Sequence, residues 1–98
     1  MLIVAVIVPI KPGTYAQAVP VMEKMALETK KEPGCVFYEF YAHISDQNSL
    51  LVYEEWESEE ALEFHVKTPH MAAYILGMKD LLNGSMSARR HLVPKEII

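Results

Sequence analysis

The chain has 98 residues, of which 51% are hydrophobic and 22% are charged, and its formal net charge is −4. This length and composition are typical of one globular domain, residues 1–98, with a single core, and they exclude a two-domain enzyme with a separate cofactor-binding half. The acidic balance and the lack of a long basic cluster predict no nucleic-acid partner, because binding to phosphates requires grouped Lys and Arg side chains.

The single cysteine and the apolar first segment bear on cellular location. Cys35 has no second cysteine with which to form an intramolecular disulfide, and we expect it to be an unreactive buried thiol. Residues 2–10 are too few to span a bilayer, and no basic leader or cleavage site accompanies them. We therefore expect a cytoplasmic protein without a membrane partner.

The first third of the chain is predicted to form a strand and a helix. Residues 2–10 are apolar and mostly β-branched, and they end at the turn signal of residues 11–13, which predicts a strand buried on both faces. Thr14 and Gln17 have the spacing of a capping box, so we expect a helix to begin there and to run to residues 30–31. Pro20 lies inside this helix and is expected to kink it.

The middle of the chain is predicted to form a hairpin of two strands. Residues 35–43 are rich in aromatic and β-branched side chains, and residues 50–57 follow with the same character. Residues 45–49 are polar and are expected to form the turn between them. The short connection indicates that the two strands pair in antiparallel fashion.

A helix in two pieces and a last strand complete the predicted order. Ser58 is expected to cap a helix, and the pair Thr68 and Pro69 predicts a restart, because Pro is tolerated at the first helical position. The second piece is predicted to end near Asn83, before Gly84. Residues 85–93 are predicted to be the fourth strand.

The resulting order, β-α-β-β-α-β, predicts an α+β fold of the ferredoxin-like type, in which two helices cover one face of a four-stranded antiparallel sheet. Both faces of the first strand are nevertheless apolar, with Leu2, Val4, Val6 and Val8 on one and Ile3, Ala5 and Ile7 on the other. A solvated sheet face would alternate apolar and polar side chains. We therefore expect a second copy of the chain to cover the free face in a homodimer packed sheet against sheet.

His65 is the candidate base, because it falls in the middle of the apolar arc of its predicted helix and an imidazole titrates near neutral pH. A core histidine with one satisfied hydrogen bond would show the same pattern. His70 lies five residues further on, about 140° away around a continuous helix, so we expect the two histidines not to share a metal ion. His70 itself is placed at the mouth of a cleft or on the surface.

Glu54 and Trp56 share strand parity with apolar neighbours. We expect Glu54 to be buried with a partner such as Arg89 or Arg90, in a structural role or as part of a site. Trp56 is expected in the core, where it could also form the wall of a pocket for a flat aromatic substrate.

Five different short motifs are spread along the chain. In order they are Lys11-Pro-Gly13, Glu32-Pro-Gly-Cys35 followed by Tyr38, Tyr53-Glu54-x-Trp56-x-Ser58, Ala61-Leu62-x-x-His65 and Thr68-Pro69-His70-Met71. Over essentially the whole chain they resemble the antibiotic biosynthesis monooxygenase family, in particular its small quinol-monooxygenase-like members.

The resemblance implies a dimeric α/β barrel and a monooxygenase that oxidises a quinol or related phenolic aromatic with O₂, without metal, flavin or haem. It implies that His65 is the base or a substrate-orienting group, and that Trp56, His70 and Tyr74 form the wall or mouth of the pocket. Some relatives place an Asn on the first strand to hold a ligand, and residues 2–10 contain none, which disfavours haem or a polyketide anthrone.

Two alternatives remain at this point. Other members that the chain resembles, which share the H-x-x-T-P-H pattern, are isomerases of a phosphorylated signalling sugar, so one alternative is such an isomerase or an enzyme that degrades a small carbonyl compound. Such an enzyme would need a phosphate site, for which Lys11, Lys67 and Lys79 are scattered candidates. The other alternative is a dimeric ligand-binding module without catalytic activity.

Overall fold

One antiparallel sheet with helices on one of its faces forms the protein in a computed structural model, which describes residues 1–94. The last four residues of the predicted domain lie outside this described part. The elements, in chain order, are β1 (Leu2–Pro9), α1 (Tyr15–Thr29), β2 (Cys35–His43), β3 (Asp46–Trp56), α2 (Glu59–Val66), α3 (Pro69–Met78) and β4 (Ser87–Leu92). The predicted ferredoxin-like arrangement is confirmed, with its second helical part divided into α2 and α3.

The strands are ordered β2-β3-β1-β4 and all neighbours are antiparallel. The two most apolar strands, β1 and β3, therefore lie at the centre, where Val4 pairs with Glu54 and Leu2 pairs with Trp56. The polar strand β4 lies at an edge, and all six of its residues are exposed. None of the helices in residues 1–94 has both the length and the hydrophobicity that crossing a membrane requires.

The core lies between the sheet and the helices. One face of the sheet and the inner faces of the helices supply its buried hydrophobic side chains, which include Leu2, Val4, Val8, Tyr38, Leu50, Val52 and Trp56 from the strands and Met22, Met25, Tyr74 and Met78 from the helices. Full burial of a side chain of the size of Leu or Met contributes about 1.5–3 kcal/mol. This core fixes the helices over the strand positions at which the candidate site lies.

The other face of the sheet carries a second set of apolar side chains. Ile7 is 45% exposed, Tyr41 is 49% exposed and Phe37 is 38% exposed. Ile3, Leu51 and Tyr53 are half-buried on the same face. The expected two-sided apolar sheet is present, and within residues 1–94 no helix covers this outer face.

The hairpin and the first helix differ from prediction at their ends. The prediction that β3 begins at residue 50 was wrong, because the polar residues from Asp46 onward already pair, with His43 opposite Asp46 and Pro9 opposite Ser49. Their polarity reflects solvent exposure at the end of the hairpin. The capping box was also wrong, since the Thr14 hydroxyl donates to the Lys11 carbonyl oxygen at 2.6 Å.

Two helix starts were predicted correctly and one end was not. The side chains of Ser58 and Thr68 accept hydrogen bonds from the backbone N–H groups of Ala61 and Met71, as caps do. Helix α3 ends at Met78, before the predicted end near Asn83, because the following residues bond to the end of β1. The N–H of Asn83 donates to the Pro9 carbonyl oxygen at 3.0 Å.

Candidate functional site

A tight turn after α1 places Glu32 in the interior. The N–H of Glu32 donates to the Thr29 carbonyl oxygen, and Gly34 follows with a φ of 84°. A Cβ atom on Gly34 would lie 2.7 Å from the Cβ of Ala61, so only glycine allows this turn to pack against α2. The close approach holds the Glu32 carboxyl, which is 4% exposed, beside the second half of the helical layer.

A break between α2 and α3 brings two histidines to this carboxyl. The Thr68 hydroxyl donates to the His65 carbonyl oxygen at 2.8 Å while it caps α3, and Pro69 begins the new helix. Nδ1 of His65 lies 2.7 Å from Oε2 of Glu32, and Nε2 of His70 lies 2.5 Å from the same oxygen. We call Glu32, His65 and His70 the Glu32 cluster.

The hydrogen bonds of the Glu32 cluster determine where its protons lie. An ionised carboxylate only accepts hydrogen bonds, so Nδ1 of His65 and Nε2 of His70 are the nitrogens that carry hydrogen. Burial lowers the pKa of His65 by more than the Glu32 carboxylate raises it. His65 is therefore neutral at neutral pH, and its Nε2 has a free lone pair.

Aromatic rings enclose His65 on the sheet side. Its ring centroid lies 4.7 Å from that of Trp56 and 5.5 Å from that of Tyr38. His65 is 1% exposed and Trp56 is fully buried. The expected inward direction of His65 is confirmed, and its burial explains why its charged form is disfavoured.

Glu54 is buried on the same face of the sheet. Its Oε1 accepts a hydrogen bond of 2.9 Å from Nε1 of Trp56. The prediction of Arg89 or Arg90 as its partner was wrong, because both lie on the exposed edge strand β4. Burial raises the pKa of the Glu54 carboxyl to about 7, against the lowering effect of the Trp56 hydrogen bond.

A groove of about 600 Å³ opens between α1 and α3. His70 and Tyr74 line it, as do Met25 on the apolar side and Lys24 and Glu28 from α1. The hydroxyl of Tyr74 is buried and has no hydrogen-bond partner among residues 1–94. Burial raises the pKa of Tyr74 to about 12, so this hydroxyl is a hydrogen-bond donor at neutral pH.

The five residues predicted for the site fall into two groups. His70 and Tyr74 line the groove, whereas His65, Trp56 and Glu54 lie behind it in the core. A smaller cavity of about 180 Å³ between α1 and the hairpin is lined by none of the five. The groove and the core group meet at the contact of His70 with Glu32.

Sequence reasoning did not identify Glu32 as a functional residue. It lies in a turn, where no periodicity marks it, and its only signal was its place in the Glu32-Pro-Gly-Cys35 motif. The expectation that His65 and His70 point apart was also wrong, because the helix breaks between Val66 and Pro69 and both rings contact Glu32.

The Glu32 cluster has the side-chain types that hold divalent metals such as zinc or iron, and its three nearest ligand atoms lie within 4.8 Å of one another. The contacts of 2.7 Å and 2.5 Å to one carboxylate oxygen are those of charge-assisted hydrogen bonds. In this geometry both imidazoles bond through a proton to Oε2 of Glu32, whereas Oε1 is buried and has no hydrogen-bond partner among residues 1–94.

Comparisons with known proteins agree with the fold and the motifs. The family model described as antibiotic biosynthesis monooxygenase matches residues 1–75. A crystal structure of an antibiotic biosynthesis monooxygenase superposes with a TM-score of 0.89 at 24% identity, covering 96% of this chain and 100% of that one. YcnE of Bacillus subtilis, provisionally named a monooxygenase, is 21% identical over 90 residues, which are 92% of this chain and 95% of its own.

An uncharacterized protein of Synechocystis sp. is 30% identical over 81 residues, or 83% of this chain. The chain spans about half of that relative, 55% of its length. The family model covers more than half of the present chain and includes every residue of the Glu32 cluster and the groove residue Tyr74. The chain therefore belongs to the antibiotic biosynthesis monooxygenase family.

Proposed function

We propose that the protein is a monooxygenase that oxidises a quinol or a related phenolic aromatic with O₂ and uses no metal, flavin or haem. The observation that carries the proposal is the contact between the Glu32 cluster and the groove. It joins a proton-accepting group to a cavity within the range of about 300–1,000 Å³ that small-molecule sites occupy.

The chemistry requires little from the protein beyond removal of a proton. A deprotonated quinol is rich in electrons and can transfer an electron to O₂, after which the two radicals combine in a carbon–oxygen bond. Loss of water then leaves a hydroxyquinone, so that one quinol and one O₂ give one hydroxyquinone and one H₂O. A base, an apolar cavity and hydrogen bonds to the anion are sufficient for this sequence.

The proposed roles follow the two groups of residues. His65, neutral and bonded to Glu32, belongs to the proton-accepting group. The Trp56 ring contacts that of His65 at 4.7 Å with their planes inclined by 43°. Glu54 accepts a hydrogen bond from Trp56 and so helps to hold this ring against His65. His70 and Tyr74 are the residues that contact the substrate in the groove.

We further propose that the protein is a homodimer formed through the outer face of the sheet. Ile7, Phe37 and Tyr41 are exposed on that face, and contiguous apolar patches are uncommon on monomers. An interface of standard size buries about 800 Å² per partner. At about 25 cal/mol per Å² of apolar area, such a face provides a strong driving force for association.

Oxygen uptake with a reduced naphthoquinol tests the proposed reaction. Chelator-treated protein should consume O₂ and form hydroxyquinone faster than the buffer, and no product should form under argon. His65→Ala should lower the rate by about 10²-fold or more, because it removes one member of the proton-accepting group. The control His43→Ala changes an exposed histidine at the end of β2 and should leave the rate unchanged.

Product formation at the same rate under argon would support the isomerase or degrading-enzyme alternative. A rate equal to that of buffer, with unchanged binding of the quinol, would support the non-catalytic ligand-binding alternative. Either result contradicts the proposed monooxygenase.

A further inference from the structure

His70 is the member of the Glu32 cluster that reaches the groove. Its side chain is 17% exposed, whereas those of His65 and Glu32 are 2% and 4% exposed. His70 lines the groove and the other two do not. A ligand in the groove can therefore contact the cluster through His70 without any rearrangement of the core.

The hydrogen bond to Glu32 determines which nitrogen of His70 is available. Nε2 faces the Glu32 carboxylate and carries hydrogen, so a neutral His70 has its lone pair on Nδ1. Within residues 1–94 no hydrogen bond to Nδ1 is formed. This is the arrangement of a histidine base whose far nitrogen is held by a carboxylate.

Tyr74 offers a second contact on the same side of the groove. It lies four residues after His70 on α3, which places the two side chains on one face of the helix. Its hydroxyl is buried, lacks a partner in the described part of the chain and belongs to a residue that lines the groove. Because the hydroxyl is enclosed and the ring packs 5.8 Å from that of Phe40, it reaches a ligand oxygen beside His70 only when the Tyr74 side chain turns toward the groove.

We propose that Nδ1 of His70 removes the proton from a phenolic hydroxyl of a ligand in the groove, while the Tyr74 hydroxyl donates a hydrogen bond to the phenolate. The choice of a phenol rests on the proposed function. The O–H bond of the ligand breaks, an N–H bond forms at Nδ1, and no electrons are transferred in this step. His65 and Glu32 are then positioning residues.

The surroundings of His70 stabilise the positive charge that the proposed proton transfer creates. The Glu32 carboxylate stabilises the imidazolium that forms, and the N–H of His65 on the same oxygen keeps that carboxylate in place. Glu28 and Lys24 also line the groove with opposite charges, and Tyr74 completes the polar groups there. The new ion pair of phenolate and imidazolium therefore has both hydrogen-bond donors and hydrogen-bond acceptors around it.

Nitrogen NMR of the histidine rings tests the inference without turnover. In ¹⁵N-histidine protein without ligand, His70 should show hydrogen on Nε2 and none on Nδ1, and His65 should show hydrogen on Nδ1. The probe is 4-nitrophenol, which O₂ does not oxidise and whose phenolate absorbs visible light. On its binding, Nδ1 of His70 should gain a proton while His65 stays neutral.

Variants separate proton transfer from binding and from folding. His70→Gln should lower the ratio of bound phenolate to bound phenol by about tenfold or more. Tyr74→Phe should lower it by a smaller factor, because only one hydrogen bond to the phenolate is lost. His43→Ala should leave the ratio unchanged, and unaltered dispersion of the NMR spectrum shows that each variant is folded.

The inference is overturned if His70 carries hydrogen on Nδ1 in the free protein, if His65 rather than His70 becomes charged, or if the probe does not bind at millimolar concentration. A second overturning result uses cobalt(II) as a probe. If added cobalt(II) gives a visible absorption that is lost in His70→Gln, and the predicted protonation of the His70 ring is not seen, the cluster is a metal site. Because the probe is not oxidised, protonation of His70 can be observed even if the monooxygenase reaction fails. Equally, the monooxygenase reaction can be observed even if His70 is not the group that is protonated.

Discussion

Glu32 and His65 are 33 residues apart in the chain, yet they share a buried hydrogen bond of 2.7 Å. His70 joins them on the same carboxylate oxygen. The bond to His65 joins the turn after α1 to helix α2. The contact with His70 joins the same turn to helix α3. One side chain thus links three separate parts of the helical layer beside the groove.

Replacement of Glu32 should therefore reduce stability more than replacement of a surface glutamate. Glu32→Ala removes the acceptor of two imidazole N–H groups, and a buried donor without a partner costs about 1–3 kcal/mol. We expect the free energy of unfolding in urea to fall by at least that amount. The control is Glu39→Ala, which breaks an exposed ion pair with Lys30 and should cost about 0–1 kcal/mol. Equal losses for the two variants would contradict the linking role of Glu32.

Glu54 should make stability depend on pH in a direction opposite to that of a carboxylate held in an ion pair. Burial raises its pKa from 4.5 to about 7 in the folded protein. The folded state thus binds the proton more tightly, so the contribution of Glu54 to stability is complete below about pH 4.5 and is lost as the pH rises to about 7.

The neutral variant Glu54→Gln isolates this effect from that of other carboxyl groups. Its free energy of unfolding, relative to that of the unchanged protein, should rise between pH 4.5 and pH 8 by an amount on the order of 3 kcal/mol. Urea denaturation at several pH values measures the difference. A difference that does not vary with pH would show that Glu54 titrates normally in the folded state.

Trp56→Phe should raise the pKa of Glu54 further. The indole N–H donates to Oε1 of Glu54 at 2.9 Å and favours the ionised form, and phenylalanine keeps an aromatic ring without that donor. A ¹³C NMR titration of the Glu54 carboxyl in both proteins measures the change. A pKa of Glu54 that is lower in Trp56→Phe than in the unchanged protein would contradict the hydrogen bond.

Thr68 should matter for both stability and the position of His70. Its hydroxyl donates to the His65 carbonyl oxygen and accepts from the Met71 N–H. Thr68→Ala should lower the free energy of unfolding by about 1–2 kcal/mol, and Thr68→Ser should restore most of it. The Nε2 proton of His70 should exchange faster with water in Thr68→Ala. Unchanged exchange would show that the cap does not position His70.

Charge on the outer sheet face should dissociate the proposed dimer. Tyr41→Glu places a charge among the exposed apolar side chains of that face, and burying an unpaired charge is costly. Sedimentation equilibrium should give twice the chain mass for the unchanged protein and a mass shifted toward the single chain for the variant. Leu76→Glu, at an exposed position of α3, should remain dimeric. A monomeric unchanged protein at micromolar concentration would exclude the dimer.

Local patterns predicted most of the fold because burial and turn chemistry agree with them. The β-branched run of β1, the Ser58 cap and the restart at Thr68 and Pro69 are confirmed. The start of β3 and the end of α3 were wrong, since the first depends on pairing of Asp46 with His43 and of Ser49 with Pro9, and the second on the hydrogen bond from Asn83 to Pro9. Propensity contains no information on such pairing.

The candidate site was predicted only in part, because local patterns again indicate single residues and not the contacts between distant segments. The inward direction of His65 followed from helical periodicity. The meeting of His65 with His70 requires the angle between α2 and α3, and the role of Glu32 requires the turn at Gly34 to pack against Ala61. These are tertiary relationships between segments. The partner of Glu54 was missed because the hydrogen bond comes from Trp56, two residues further along the same strand, and not from a charged residue on another strand.

The proposed reaction is tested most directly by the fate of the oxygen atoms. Chelator-treated protein is given a reduced naphthoquinol under ¹⁸O₂, and the products are analysed by mass spectrometry within the first turnovers. We predict a hydroxyquinone that contains one ¹⁸O atom, with its formation reduced in His65→Ala and His70→Gln and retained in His43→Ala. If the only products are a quinone without ¹⁸O and hydrogen peroxide, formed at the rate found without protein, the assignment as a cofactor-free monooxygenase is contradicted.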